Sequence, residues 1–216
     1  MSQEAVLAIS KPTAERLSRL ALLLEQQSEE NTPITSAEIE VLTGWASHTI
    51  RKDISSLTKT SGIATNTGYL PCELAKAIRE TLGFAGTEQN CCIVGLGRIG
   101  SAFLDYKGFA ESPFTIRAGF DSNVNRVEIL KADFPLYPTF KMKEIIPRLG
   151  ISYAILTVPA EQAALAAERL IDCGITGIVN FTPVLLPAPP GVEIEQVSIL
   201  DALGAIAARR SINTKE

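Results

Sequence analysis

Ten consecutive residues carry the first recognisable chemistry: Cys91-Cys92-Ile93-Val94-Gly95-Leu96-Gly97-Arg98-Ile99-Gly100. Four apolar residues run into G-x-G-x-x-G, and Ser101-Ala102-Phe103-Leu104 follow. The pattern predicts a buried strand, a tight turn and the first turns of a helix. In a dinucleotide site each glycine has its own task. Gly95 permits the sharp turn, Gly97 lets the backbone approach a pyrophosphate, and Gly100 lets the helix pack close to the strand. The helix start at Arg98 and Ile99 then offers free N–H groups and a partial positive charge to phosphates. A glycine-rich turn without a ligand is the competing reading.

A dinucleotide site also needs an acid at the end of the next strand. Phe114-Thr115-Ile116-Arg117-Ala118-Gly119-Phe120-Asp121 supplies it, 21 residues beyond Gly100, close to the usual spacing of about 20. A carboxylate there accepts hydrogen bonds from the adenosine ribose and repels a 2′-phosphate. Ser122 and Asn123 follow, where a site for NADP(H) would carry an arginine, so NAD(H) is expected. The alternative for Asp121 is a carboxylate that only caps a turn.

A different chemistry sits nearer the N-terminus. After a capping box in Thr35-Ser36-Ala37-Glu38, a short helix breaks at Gly44-Trp45-Ala46, and Ser47 is placed to cap the next helix. Ile50, Ile54 and Leu57 form that helix's apolar stripe, which leaves His48, Thr49, Arg51, Lys52 and Ser55 outward. Helix, glycine turn, helix is the helix-turn-helix arrangement, whose second helix enters the major groove of DNA. Arg51 suits a bidentate contact to guanine and Lys52 a phosphate. Ser47, His48, Thr49, Arg51, Lys52 and Lys59 are the candidate DNA contacts. Against this, His48 to Lys59 contains only three Lys or Arg and one acid. A three-helix module for protein contacts, with Arg51, Lys52 and Asp53 as a solvated face, is the alternative.

These residues must be positioned by an α/β fold in two parts. Residues 12–27 predict a helix with Leu17, Leu20, Ala21 and Leu24 on one face; Arg16 and Arg19 flank it, and a solvated flank is the plainer reading of both. Residues 58–70, with Gly62, Asn66 and Gly68, suit a small hairpin or wing, and 71–84 a helix carrying Leu74, Ala75, Ile78 and Leu82. From Cys91 on, strand and helix alternate. Helices are expected at 124–133, 143–149, 160–173 and 199–210, and strands at 136–138, 153–158, 175–181 and 192–197. Alternation of this kind means a Rossmann-like, doubly wound parallel sheet, with ligands outside the carboxyl ends of its strands. Gly95–Gly100, Asp121, Thr157-Val158-Pro159-Ala160 and Asn180-Phe181-Thr182 therefore converge on one crevice. The expected divisions are a winged-helix domain 1–85, a nucleotide domain 86–198 and a terminal helix 199–216 with a wide apolar face.

The totals narrow the function classes. In 216 residues there is room for one or two domains with a sizeable core. No apolar run approaches the roughly 20 residues that cross a bilayer, and Met1-Ser2-Gln3-Glu4 lacks the basic start of a signal peptide, so a cytoplasmic location is expected. Cys72, Cys91, Cys92 and Cys173 show no C-x-x-C spacing and read as buried free thiols. No metal cluster can be built around the single histidine, His48. Net charge is −4, and residues 1–90 carry 8 Lys and Arg against 11 Asp and Glu, which counts against a purely electrostatic nucleic-acid binder. The region after the linker holds no histidine and little beyond the nucleotide fold, so no catalytic residue is assigned. A nucleotide pocket without an acid/base group, joined to a DNA reader, suggests a sensor. A small NAD-dependent oxidoreductase, and an NAD(H)- or CoA-type nucleotide module that has lost DNA binding, are the alternatives.

Further strings stand beside the glycine motif and Ala118 to Asp121: Pro12 with Thr13-Ala14-Glu15-Arg16-Leu17, Thr49-Ile50-Arg51-Lys52-Asp53, Ala154-Ile155-Leu156-Thr157-Val158-Pro159-Ala160 and Asn180-Phe181-Thr182-Pro183. On these residues nearly the whole chain resembles the Rex family of redox-sensing transcriptional repressors. That resemblance implies a homodimer on double-stranded operator DNA, with an inverted repeat as the matching site. It further implies that NADH releases the DNA and that the C-terminal helix is swapped between subunits. Tyr106 matches a tyrosine near the family's nicotinamide pocket. Three departures stand out. Ser56-Leu57-Thr58-Lys59-Thr60 replaces an aromatic-glycine sequence, and the wing is longer and has lost its lysines. Ser198-Ile199 occupies the place of an Asp that in the family communicates with the arginine aligned with Arg16, and Asp201 lies three residues on. Arg16, Ser198 and Asp201 are thus the candidate switch residues.

Overall fold

The computed structural model describes residues 9–26, 32–57, 63–65, 67–83, 88–110 and 112–213, and the chain divides into two compact units, residues 1–87 and 88–216. The candidate DNA contact Lys59 lies outside the described residues.

In the first unit α1 (Lys11–Gln26) buries Leu17, Leu20, Ala21 and Leu24, the stripe that its periodicity predicts. The capping box starts α2 (Ser36–Thr43): the Glu38 amide donates to Thr35 Oγ1 at 3.2 Å, and the Thr35 amide donates to Glu38 Oε2 at 2.7 Å. Gly44 ends α2 at φ +73°, a conformation that disfavours a Cβ. The next helix, α3 (Ser47–Ser55), corrects one expectation. Its N-cap is Ala46, not Ser47, and the Ser47 N–H is satisfied by the Glu40 carboxylate of α2 at 3.0 Å. A longer acidic side chain on the neighbouring helix thus reaches an orphan helix donor that the local hydroxyl does not. β1 (Ala64–Thr65) and β2 (Gly68–Tyr69) form an antiparallel wing, and Ile34 bridges to Tyr69. α4 (Pro71–Thr81) stops before residue 84 because Gly83 turns left-handed at φ +82°. Leu20, Leu24, Ile39, Ile50, Ile54, Leu74 and Ile78 close one core beneath these helices.

The second unit is a six-stranded parallel sheet in the order β5-β4-β3-β6-β7-β8. The strands are β3 (Gln89–Val94), β4 (Phe114–Asp121), β5 (Leu136–Pro138), β6 (Tyr153–Leu156), β7 (Gly177–Asn180) and β8 (Glu193–Gln196). Both faces are covered, so β3 reads as a continuous apolar run: Cys91 and Ile93 enter one core, Cys92 and Val94 the other. Burial pushes the Cys91 thiol up to about 12 and Cys92 higher still, so both are inert thiols. Cys72, by contrast, is exposed and Cys173 half-buried. The chain runs β3 to β4 to β5 in one direction and then crosses back to β6, which makes the β3–β6 boundary the topological switch point.

Two helices of this unit are short. α5 (Arg98–Ala102) ends where Phe103 turns its ring onto Phe181 and Phe109, trading helix continuation for aromatic packing. α6 (Val124–Ile129) ends at Leu130, whose extended backbone sends Phe134 and Leu136 back onto the sheet. α7 (Met142–Arg148), α8 (Ala160–Asp172) and α9 (Ile199–Asn213) follow. In α9 Ile199, Leu200, Leu203, Ile206 and Ile212 are all exposed. Among the described residues no helix is long and apolar enough to cross a membrane.

Candidate functional site

At the switch point the ends of β3, β4 and β6 are hydrogen-bonded into one floor. The Gly95 amide donates to Phe120 O at 2.8 Å, and the Thr157 amide to Val94 O at 2.9 Å. Thr157 Oγ1 donates to Gly95 O at 2.6 Å, and the Leu96 amide donates to Asp121 Oδ2 at 2.7 Å. The glycine turn is therefore stapled from both flanking strands. Gly95 sits at φ +92°, and a Cβ there would meet the Thr157 backbone and Val158 at 2.9 Å. At Gly100 a Cβ would stand 1.9 Å from Gly95 O, so close helix–strand packing is what that glycine allows. Beside Gly97 a Cβ would meet nothing within 4 Å, consistent with a wall left open for close approach. The first intrahelical bond of α5 runs from the Ser101 amide to Gly97 O, which leaves the amides of Arg98, Ile99 and Gly100 without intrahelical partners.

Over this floor lies a cavity of about 750 Å³, large enough for a cofactor. Of the predicted residues, Gly95, Gly97, Arg98, Ile99, Asp121, Ser122, Thr157, Val158 and Pro159 line it. Its charged lining is Arg98, Arg126 and Arg169 against Asp121, a balance that favours an anionic ligand. Asp121 has a side chain only 4% exposed and plays the turn-capping part as well. Oδ2 holds the Leu96 amide and Oδ1 the Asn123 amide, both at 2.7 Å, and Arg126 Nη1 stands 3.5 Å from Oδ2. Carboxylate oxygens accept more than one hydrogen bond, so bracing the turn leaves acceptor capacity facing the cavity.

The other predicted residues lie elsewhere. Leu96 and Gly100 are buried beneath the turn, and Ala160 opens α8 behind its N-cap Pro159. Asn180 and Thr182 brace a loop: Asn180 Nδ2 donates to Val184 O and Gln196 Oε1, each at 2.8 Å, and its Oδ1 accepts the Thr182 amide. Tyr106, 57% exposed, joins Phe103, Phe109 and Phe181 in an aromatic cluster outside the cavity lining. Residue spacing did not indicate Arg126, Thr139, Met142, Gln162, Leu165, Ala166 and Arg169, which also line it. The only local signal was the outward face of α8.

On the N-terminal unit α3 presents His48, Arg51, Lys52 and Ser55 to solvent, with Ser47 and Thr49 half-buried. Arg51 Nη1 donates to Ser36 Oγ at 2.9 Å. Asp53 does not share this solvated face. It is 6% exposed and accepts Arg16 Nε–H at 2.7 Å and Nη2–H at 2.9 Å. Arg16 is therefore not a solvated flank: its side chain is 28% exposed, and the hydrogen bond to Asp53 raises its pKa. Ser198 Oγ accepts the Asp201 amide at 3.1 Å and caps α9.

Comparisons with known proteins match both units. Residues 86–184 match a family described as "CoA binding domain", and residues 8–55 one described as "Putative DNA-binding protein N-terminus". The redox-sensing transcriptional repressor Rex of Listeria welshimeri is 30% identical over 206 residues, covering 93% of this chain and 92% of that protein. The protein of the same name from Carboxydothermus hydrogenoformans is 31% identical over 194 residues, covering 88% and 91%. Among solved structures, RSP, a Rex-family repressor, in complex with β-NADH gives a TM-score of 0.81 at 27% identity, covering 96% of each chain. RSP in complex with β-NAD+ and operator DNA gives 0.80 at 28% identity, covering 95% and 94%.

Proposed function

The chain belongs to the Rex family of redox-sensing transcriptional repressors, and from that premise we propose that it is a DNA-binding repressor that senses the NADH/NAD+ state. NAD(H) binds at the switch-point cavity, operator DNA binds at α3, and NADH releases the operator. The observation that carries the reading is that one chain holds both a cationic cavity over a G-x-G-x-x-G turn and a helix-turn-helix with Arg51 and Lys52 exposed.

The cavity suits the cofactor. The open wall at Gly97 and the unpaired amides at the start of α5 fit a pyrophosphate, and Asp121 with Ser122 fits a ribose edge. NAD(H) supplies a nicotinamide ring whose charge changes with redox state. Tyr106 and Phe181 lie at the adjoining aromatic cluster, which we assign to the nicotinamide side. Leu96, Ala160, Asn180 and Thr182 act as supports of the same crevice. The curated relatives are named as transcriptional repressors, and we read this chain as a regulator in the same way and assign it no catalytic residue.

The working form is a homodimer of a winged-helix domain (1–85) and a Rossmann domain (86–198), with a terminal helix (199–216) exchanged between subunits. The exposed apolar residues of α9 support the exchange. A two-fold dimer calls for an inverted-repeat operator, and a reader of operator DNA works in the cytoplasm. NADH must bind the DNA-incompetent state more tightly, because a ligand shifts an equilibrium only through differential affinity.

A second reading, an NAD(H)-binding module that has lost DNA contact, is favoured by one observation: residues 58–70 contain Lys59 as their only cation. Fluorescence anisotropy of a labelled duplex from upstream of the protein's own gene separates the two. Binding that NADH abolishes and NAD+ leaves intact supports the repressor. Binding indifferent to both cofactors overturns the sensing role, and no binding to operator duplexes at low salt supports the second reading.

A further inference from the structure

The structure assigns Arg16, Thr13 and Asp53 to a clamp that sets the rotational position of the recognition helix α3 and so aims Arg51 and Lys52 at DNA. This rests on the DNA-binding reading above. Three observations converge on it.

Asp53 is buried between Ile50 and Ile54 on the inner face of α3. A charge is costly there unless it is paired with good geometry. The pairing is complete: Oδ2 accepts Arg16 Nε–H at 2.7 Å, and Oδ1 accepts Nη2–H at 2.9 Å and the Thr13 hydroxyl at 3.3 Å. Arg16 Nη2 also donates to Thr13 Oγ1 at 3.2 Å, which receives Ser10 Oγ–H at 3.0 Å. Both ends of the fork are thus tied to the first two turns of α1.

Helical geometry transmits this to the DNA face. Successive residues of an α-helix are about 100° apart around its axis. Asp53 directly follows Arg51 and Lys52, so holding Asp53 inward holds those two outward. Among the described residues α3 is also tied to α2, by Glu40 on the Ser47 amide and Ser36 on the Arg51 side chain. The Asp53 clamp ties α3 to α1. Arg16 is a positioning residue, acting through Arg51 and Lys52.

The test is a cycle of variants in the full-length protein, read by duplex anisotropy, NADH titration and thermal melting. Arg16→Lys keeps the charge but cannot make the two-pronged contact. Its duplex affinity should fall about tenfold while NADH affinity and cooperative melting are retained. In an Arg51→Ala/Lys52→Ala background the same change should cost under about twofold, because the residues it positions are gone. Thr13→Val should give a smaller loss of the same kind. Equal duplex affinity for Arg16→Lys and wild type overturns the clamp, as does an undiminished loss in the Arg51→Ala/Lys52→Ala background. If wild type itself binds no duplex, the DNA-binding reading fails and the clamp's role falls with it.

Discussion

Each unit buries one aspartate at the heart of its candidate site, and the two are held in opposite ways. Asp53 is gripped by side chains from another helix, 37 residues away for Arg16 and 40 for Thr13. Asp121 is gripped by backbone amides of the turns it joins, Leu96 and Asn123. The DNA-facing unit therefore depends on side chains that a single substitution can remove. The nucleotide-facing unit depends on main chain, and is vulnerable where a side chain would intrude. The consequences for mutation differ accordingly.

The largest effect should come from intrusion. Gly100→Val would place atoms where even a Cβ lies 1.9 Å from Gly95 O and 2.6 Å from Thr157 Oγ1. We expect a destabilisation of about 3 kcal/mol or more and loss of NADH binding, read by thermal melting and calorimetric titration. A variant that melts like wild type and binds NADH would break the comparison. Next comes Asp121→Ala, which orphans the Leu96 amide under the turn and removes the acceptor facing the cavity. It should weaken NADH and NAD+ alike by about 1–3 kcal/mol, and unchanged affinity would remove Asp121 from the site.

Arg51→Ala sharpens the contrast on the other unit. It should cost about 1–3 kcal/mol at an operator with melting unchanged, since its side-chain hydrogen bond to Ser36 is exposed. Normal duplex affinity would mean that α3 is not the reading helix. The smallest effect is one of pH. Hydrogen bonds from Ser47 hold the Glu40 carboxyl below its ordinary range. A group whose folded pKa is depressed stabilises above its unfolded value and loses that contribution as pH falls through the folded one. Acidification through the carboxylate range should therefore loosen the start of α3, seen as a smaller protection factor for the Ser47 amide, its exchange rate being compared with the intrinsic rate at each pH. Glu40→Gln should show the smaller protection factor at neutral pH, with its acid dependence flattened.

The contrast also explains what was legible in the sequence. Features built from near neighbours in the chain were readable as spacing. They include the glycine turn, the strand ending at Asp121, the capping box of Thr35 and Glu38, the left-handed stop at Gly44 and the stripes of α1 and α4. Each is a local hydrogen bond, a local sterically demanding turn or a periodic burial pattern, and such things recur at fixed offsets. Features built across the fold were not readable. Ser47 as a cap failed because Glu40 reached the amide from the next helix. The helix predicted through 133 stopped at 129, where Leu130 turns extended and Phe134 and Leu136 pack back onto the core, and α5 ended at 102 beside the aromatic cluster of Phe103.

The sequence by itself determined the two-part α/β organisation, the glycine-and-acid pattern at the switch point and the exposed cations of α3. Only the tertiary structure decided that Arg16 belongs to Asp53, that Thr157 staples the glycine turn from 62 residues away, and that Arg126, Gln162 and Arg169 also line the cavity. The physical reason is common to all three. Periodicity reports which face of an element turns inward, while the partner of a buried polar group is set by whichever distant element brings a matching donor or acceptor within hydrogen-bond range.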